Sequence, residues 1–168
     1  MAHHTTNGHG HKTLTAWLQD AYAMEEALVP ILENHAKDAK GIPQMQSRIQ
    51  QHAEETRRHA EMVKGCLEQI GEKPSGTKNL LGNLFGGAQS IGAGMFKDEL
   101  IKNALTDFAS EHFEIASYKA LIAAAEQTGH PQIAMVCRQI LQDEERMAQW
   151  LDQQMPVTVQ SAMQRAMA

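Results

Sequence analysis

The sequence predicts an all-α protein that folds as a four-helix bundle, and three observations support this. Apolar residues recur at the three- and four-residue spacing of amphipathic helices through four long segments. Aromatic residues make up only 5% of the 168 residues, whereas Ala, Leu, Gln, Glu and Met are abundant, and this composition favours helices over strands. Within each half of the chain, a glycine followed two residues later by a proline separates two segments.

Composition and charge exclude several classes of protein. With 42% apolar residues, the chain can form one soluble domain with a substantial core. A net charge of −5 without a basic run argues against nucleic acid as a partner. No apolar run approaches the roughly 20 residues of a membrane span, and the N-terminus lacks the apolar core of a signal peptide. We therefore expect no membrane association and a cytoplasmic location.

The first half of the chain predicts a helical hairpin. Its first helix is expected to run from about residue 14 to residue 40, where Gly41 suits the C-terminal cap. Pro43 suits the first turn of a second helix, which is expected to stop at Gly71. On the first helix a carboxylate, Glu25, occupies one position of an otherwise apolar line formed by Leu14, Leu18, Ala21, Leu28 and Leu32.

The second half predicts another hairpin. A third helix is expected from about residue 98 to residue 128, with Gly129 as its cap. Pro131 is expected to open a fourth helix that Pro156 limits. On this helix Glu144 interrupts the apolar line formed by Ile133, Val136, Ile140, Met147 and Leu151.

A long connection between the hairpins predicts the topology. Residues 72–97 are glycine-rich but also apolar, which indicates a crossover packed along the bundle rather than a free linker. A four-helix bundle with one long crossover has the ferritin-like topology. The predicted domain covers residues 13–156, between a flexible His-rich tail at 1–12 and a C-terminal tail at 157–168, which is either a short helix or a frayed end.

Four glutamates are predicted to lie at one level of this bundle. Glu25 lies 16 residues before Gly41 and Glu55 14 residues after it, while Glu114 and Glu144 lie 15 residues before and after Gly129. Each should therefore stand roughly 22 Å from the hairpin end. Four buried carboxylates would repel one another unless cations or protons compensate them. Two divalent metal ions would supply that compensation.

Further candidate ligands surround this layer. Glu111 lies one turn before Glu114, and His52 and His59 flank Glu55 at three and four residues. Oxygen ligands with a minority of imidazole suit iron, which we expect first, or manganese. Each histidine is equally open to the role of ligand, of partner to a ligand, or of core residue. The alternative to a metal site is a buried polar network that includes Arg57, Arg58 or Tyr118.

Several sequence blocks resemble a known family. They are Trp17-Leu-Gln-Asp-Ala-Tyr-Ala-Met-Glu25, His52-Ala-Glu-Glu55-Thr, Gln89-Ser-Ile-Gly, Glu111-His-Phe-Glu-Ile-Ala-Ser-Tyr118 and Glu144-Glu-Arg-Met-Ala-Gln-Trp-Leu151. In this order they resemble the YciE/YciF family of bacterial ferritin-like proteins, closest to its YciE branch, over about residues 14–156. The resemblance implies a ferritin-like four-helix bundle, a homodimer, a two-metal carboxylate site and a setting in bacterial stress response.

A more distant resemblance to rubrerythrin bears on the ligands. That family also carries Glu-x-x-Glu on its third helix, which implies that Glu111 and Glu114 are both ligands. The chain departs from ferritins, bacterioferritins and rubrerythrins where they carry Glu-x-x-His, because Arg58 follows Glu55 and Met147 follows Glu144 at that spacing. Either His52 or His59 substitutes on the second helix, or one metal has an almost entirely carboxylate environment.

These observations lead to two functional hypotheses. The first is a dinuclear iron or manganese protein that reacts with peroxide or dioxygen, as a peroxidase, catalase-like or ferroxidase-like oxidoreductase. The alternative is a non-enzymatic helical dimer or interaction module in which a metal is structural. Iron storage in a hollow shell is a third reading, which would require a large oligomer.

Overall fold

A computed structural model describes residues 4–75 and 98–167, with side chains from residue 8 onward. These residues form four helices and no strand. The helices are α1 (His4–Asp38), α2 (Pro43–Gln69), α3 (Glu99–Gln127) and α4 (Pro131–Met167), and a single 3₁₀ turn (Ala39–Gly41) joins α1 to α2. The prediction of an all-α four-helix bundle is confirmed.

The helices pack as two hairpins placed side by side. The most extensive contacts join α1 to α2 and α3 to α4, and smaller ones join α1 to α3 and α2 to α4. Two apolar clusters fill the interior. The first includes Leu18, Leu67 and Ile133, and the second includes Leu32 and Met147. The candidate site lies between these two clusters on all four helices.

Proline and glycine begin and end the helices as expected. Pro43 and Pro131 are the first residues of α2 and α4, where the missing N–H costs no helical hydrogen bond. Gly129 follows α3 with φ +77°, which lets the His130 N–H reach the Ala125 carbonyl at 2.8 Å. Gly71 follows α2 with φ +78°.

Both chain ends extend the helices beyond the sequence prediction. Residues 4–12, expected as a flexible tail, belong to α1, and Gly10 approaches the Thr128 methyl group. Residues 157–167, expected as a tail beyond Pro156, continue α4. A proline removes only one helical hydrogen bond, and the burial of Thr158 and Ala162 against the bundle offsets that loss.

The connection between the hairpins is described only at its start. The Ser75 N–H donates to Gln19 Oε1 at 2.7 Å, and Gln19 Nε2 donates to the Lys73 carbonyl at 3.0 Å. These bonds hold the chain against α1 as it leaves α2. Residues 76–97, most of the predicted crossover, lie outside the described residues.

The two cysteines are free and buried. Burial raises the pKa of the Cys66 thiol to about 11 and that of Cys137 to about 12, so both are inert core thiols. Across the described ranges, no helix has an apolar stretch long enough to span a bilayer.

Two glycines provide a matched test of this fold. Gly129→Ala should lower the free energy of unfolding by about 1 kcal/mol, because a side chain at positive φ is strained. Gly65→Ala should raise it by about 0.5–1 kcal/mol, because Gly65 lies inside α2 and its added Cβ meets no atom within 4 Å. Urea unfolding of both variants measures the difference, and equal shifts would contradict the assigned conformation at Gly129.

Candidate metal centre

The candidate centre is a layer of buried ionisable side chains that all four helices supply. Each of these side chains is at most 2% exposed, and we call them the ligand layer: Glu25 from α1, His52 and His59 from α2, Glu111 and Glu114 from α3, and Glu144 from α4. Ionisable groups are rarely buried to this extent unless they are paired or bind a metal. The layer lies where the heptad-like apolar lines are interrupted.

Three of these side chains converge around His59. One ligand atom from each of Glu25, His59 and Glu144 lies within 4.8 Å of the others, and we call this set the His59 group. His59 Nδ1 is 2.8 Å from Glu144 Oε1 and 3.8 Å from Glu25 Oε2. No hydrogen bond is assigned to these three atoms within the described chain, and His59 and Glu144 interact as a close charge pair.

A second set converges around His52. The ligand atoms of His52, Glu111 and Glu144 also lie within 4.8 Å of one another, and we call this set the His52 group. His52 Nε2 is 2.9 Å from Glu111 Oε1 and 3.8 Å from Glu144 Oε2. Two ligands that each lie about 2.1 Å from one ion stand roughly 3–4 Å apart, so these spacings suit a metal ion.

Glu144 belongs to both groups. Its Oε1 faces His59 and its Oε2 faces His52. The side chain is fully buried, and neither oxygen receives a hydrogen bond from the described residues. A carboxylate in this position can bridge two cations, one in each group.

Asp143 orients the ring of His59. Its Oδ2 lies 3.0 Å from His59 Nε2, on the side of the ring that faces away from the His59 group. Arg58 and Arg146 contact the same carboxylate. A proton on Nε2 that bonds to Asp143 leaves the lone pair of Nδ1 directed at the group, an arrangement typical of metal-binding histidines.

Glu55 plays the equivalent part for His52. Its Oε2 lies 3.2 Å from His52 Nδ1, and Arg48 and Gln51 donate to its two oxygens. The sequence analysis placed Glu55 in the layer with Glu25. The structure places it at the edge of the bundle, where its side chain is 17% exposed and belongs to neither group.

The remaining buried groups border the two sets. The Tyr118 hydroxyl donates to Glu25 Oε1, which leaves Glu25 Oε2 to face His59. Glu114 is buried in the same layer but belongs to neither three-residue group. Its carboxylate is close enough to Glu144 and Glu25 for their charges to act on it.

Burial and mutual repulsion make three carboxylates of the layer, those of Glu25, Glu111 and Glu114, weak acids. Burial, with the charge of Glu144, raises the pKa of Glu25 from 4.5 to about 8. Burial also raises the pKa of Glu111 to about 7, against the effect of His52, and raises the pKa of Glu114 well above its ordinary value. Without metal, the fold therefore favours protons on these oxygens.

The pKa values of both histidines in the layer are also raised, and for a histidine this favours the charged form. Burial alone would lower the pKa of His52, but the carboxylates of Glu111, Glu55 and Glu144 raise it to about 10. Burial likewise opposes the charge of His59, while Glu144 and Glu25 raise its pKa to about 9. Partial burial resists the ionisation of Glu55, yet His52 and Arg48 lower its pKa to about 2. The carboxylates thus favour positive charge at the centre.

The donor set fits two divalent cations. Five buried atoms take part in no hydrogen bond among the described residues: Glu25 Oε2, His59 Nδ1, Glu111 Oε2 and both Glu144 oxygens. Leaving such a group unsatisfied costs about 1–3 kcal/mol, and more when it is charged. Five such atoms around two small volumes are more than a self-contained polar network would leave.

One part of this site was missed by sequence reasoning. Asp143 directly precedes Glu144, so helical spacing gave no sign that its carboxylate would face His59. Tyr118, one turn beyond Glu114, was a candidate for a place near the metals or in a polar network. It is fully buried, and its hydroxyl contacts Glu25.

Met147 and Arg58, the two positions where the sequence departs from the Glu-x-x-His pattern, have other roles here. Met147 is fully buried and packs in the second apolar cluster. Arg58 points outward to Asp143 at 3.2 Å. Both imidazoles of the layer therefore come from α2, at positions 52 and 59, two turns apart on one face.

Comparison with known proteins places the chain among ferritin-like bundles. Residues 10–164 match a family described as a domain of unknown function, DUF892. A crystal structure of a protein from Xanthomonas campestris pv. campestris is 34% identical, with a TM-score of 0.82 over 95% of this chain and 99% of that one.

More distant structures share the fold. The E. coli stress protein YciF is 24% identical, with a TM-score of 0.76 over 90% of this chain and 97% of YciF. A Desulfovibrio desulfuricans bacterioferritin, whose structure describes its diiron site, is 15% identical, with a TM-score of 0.72 over 89% of this chain and 82% of that one. The predicted ferritin-like topology is confirmed.

The pKa values predict how pH affects the metal-free protein. Between pH 4.5 and about 8 the folded state holds a proton on Glu25 that the unfolded state releases, so stability should fall as pH rises through this range. The raised pKa values of His52 and His59 act in the same direction between pH 6.5 and about 9–10. Each pKa unit corresponds to about 1.4 kcal/mol.

Urea unfolding in the presence of a chelator measures this effect. Wild type should be more stable at pH 5 than at pH 8.5, and Glu25→Gln, which keeps an acceptor for Tyr118, should lose less stability over that interval. Glu72→Gln, at an exposed position, should parallel wild type. A Glu25→Gln profile as steep as that of wild type would contradict the assignment.

Proposed function

This chain belongs to the DUF892 family, and we propose that it is a dinuclear metal protein that binds two iron or manganese ions and reacts with peroxide or dioxygen. The observation that carries the proposal is the convergence of buried ligand atoms that make no hydrogen bond. All five lie in the His59 and His52 groups, within the part of the chain that the structure describes. Iron is the first expectation, since the bacterioferritin relative holds a diiron site.

Each group supplies the ligands for one ion. Glu25 Oε2 and His59 Nδ1 would hold the first ion, and His52 Nε2 and Glu111 would hold the second. Glu144 would bridge them through its two oxygens, and Glu114 would complete either environment. Two redox-active ions held by these residues would supply paired one-electron steps to peroxide or dioxygen.

Other residues of the chain orient the ligands and exclude water from the site. Asp143 and Glu55 fix the histidine rings, and each of these outer carboxylates accepts a hydrogen bond from an arginine. The Tyr118 hydroxyl donates to Glu25 and sets which oxygen of that carboxylate faces His59. The apolar clusters above and below the layer exclude water from it.

The biological setting is inferred from similar proteins. YciF is described as a stress protein, and we infer a similar setting for this chain, in which removal of an oxidant would protect the cell. We further propose a homodimer in the cytoplasm. Light scattering that shows a large hollow oligomer would instead favour iron storage.

Metal stoichiometry tests the proposal directly. Protein that lacks residues 1–11 and is loaded with iron or manganese should contain two ions per chain, because the two groups are complete without that segment. Glu144→Ala should lose both ions, since Glu144 serves both groups. Glu145→Ala is the matched control, because its neighbouring carboxylate is exposed and pairs with Lys119. Elemental analysis measures all three proteins.

The reaction is tested on the same samples. Loaded wild type should consume hydrogen peroxide and change its visible spectrum on oxidation, whereas Glu144→Ala should do neither. Two bound ions without any reaction would favour the alternative, a helical module with a structural metal. No bound metal in wild type would contradict the proposal itself.

The outer carboxylates give a second prediction. Asp143→Asn should weaken metal affinity by about 10- to 100-fold without loss of the fold, because a neutral amide replaces the charged acceptor that orients His59. Asp152→Asn, an exposed position on the same helix, should leave affinity unchanged. Competition with a chromophoric chelator measures both, and equal affinities would argue against a role for Asp143.

A further inference from the structure

A line of polar side chains connects the ligand layer with the end of the bundle. On α3, Asn103 and Asp107 precede Glu111 at four-residue intervals and share its face. Both are buried, Asp107 with 2% exposure. The apolar residues of the second cluster occupy the same part of the bundle, so these polar groups are exceptions there.

Side chains of α1 face this line and carry it to the surface. His35 Nδ1 lies 2.6 Å from Asp107 Oδ1, and Asn103 Nδ2 donates to Asp38 Oδ2 at 3.0 Å. The side chain of His35 is 13% exposed, and Asp38 is exposed. The line therefore runs from solvent at Asp38 and His35, through Asp107, to the ligand layer.

Asp107 carries an unused acceptor on this line. Its Oδ2 is buried and has no hydrogen-bond partner among the described residues, although Oδ1 is bound to His35. The charge of Asp107 also contributes to the raised pKa of Glu114, which places it within electrostatic reach of the layer. A buried carboxylate with one unsatisfied oxygen lowers the stability of the fold unless a cation binds to it.

Two other buried or half-buried carboxylates near the layer pair with arginine, whereas Asp107 pairs with histidine. Glu55 is bound to Arg48, and Asp143 is bound to Arg58 and Arg146. A guanidinium keeps its charge at all relevant pH values and repels an approaching metal ion. The partner of Asp107 is an imidazole instead, which can release its proton and then offer a lone pair.

We propose that Asp107 and His35 form a transient cation site through which divalent metal ions enter the ligand layer. The inference rests on the proposed function, since it supplies ions to that centre. An arriving ion exchanges water ligands for the Asp107 carboxylate and the His35 ring, and any proton on the ring returns to solvent at its exposed edge. The ion then moves about one helical turn, roughly 6 Å, to Glu111.

The rate of metal uptake tests this route. Cobalt(II) added to the metal-free full chain gives visible absorption on binding, which stopped-flow measurements follow. Asp107→Asn and His35→Gln should load on the order of tenfold more slowly than wild type, because the first loses the carboxylate charge and the second loses the imidazole ligand. Both variants should reach the same final stoichiometry as wild type. Asp152→Asn and His112→Gln are matched controls at exposed positions and should load like wild type.

The outcomes separate the route from the centre. Equal loading rates in wild type and both variants would overturn the route and leave the proposed function intact. A final stoichiometry reduced by one ion in Asp107→Asn would also overturn it, because Asp107 would then be a permanent ligand. Wild type that takes up no cobalt, iron or manganese would contradict the proposed function and the route together. Circular dichroism confirms that each variant is folded.

Discussion

The buried carboxylate of Glu144 is the constraint on which the rest of the centre depends. It has no exposed surface, and the described part of the structure offers neither of its oxygens a hydrogen-bond donor. A lone charge in that position would cost several kcal/mol. The two histidines of α2 lie on either side of it, one beside each oxygen. Two cations can satisfy the same carboxylate oxygens, which make no hydrogen bond within the described residues.

Arginines in this bundle are kept away from the centre of the ligand layer. Arg48, Arg58 and Arg146 bind Glu55 and Asp143, the carboxylates that orient the histidines, and none is among the buried residues. Inside the layer, a guanidinium would neutralise the charge permanently and occupy the position of a metal. Leaving the inner oxygens uncompensated lowers the stability of the metal-free protein, a cost that functional sites commonly carry.

Much of the fold could be predicted from sequence because its signals are local. Apolar periodicity located the helices, and the Gly-Pro turns located their junctions. The C-terminal end of α4 differed from the predicted end because burial of Thr158 and Ala162 continues the helix past Pro156. Such tertiary contacts leave little trace in a single sequence. The level of the carboxylates was also predictable, since rise per residue is fixed along a helix.

The rotation of α2 was harder to predict than its level. Its buried face runs through His52, Thr56, His59 and Val63, so Glu55 lies about 100° away from Thr56 around the helix axis. Apolar residues at both 62 and 63 made that rotation ambiguous from sequence. As a result, Glu55 was expected in the layer and instead lies behind His52.

An anomalous-scattering map of crystals loaded with iron or manganese tests the central claim most directly. The account predicts two peaks per chain, one among Glu25, His59 and Glu144 and the other among His52, Glu111 and Glu144. A single peak, or peaks only at the N-terminal histidines, would contradict a dinuclear centre bridged by Glu144.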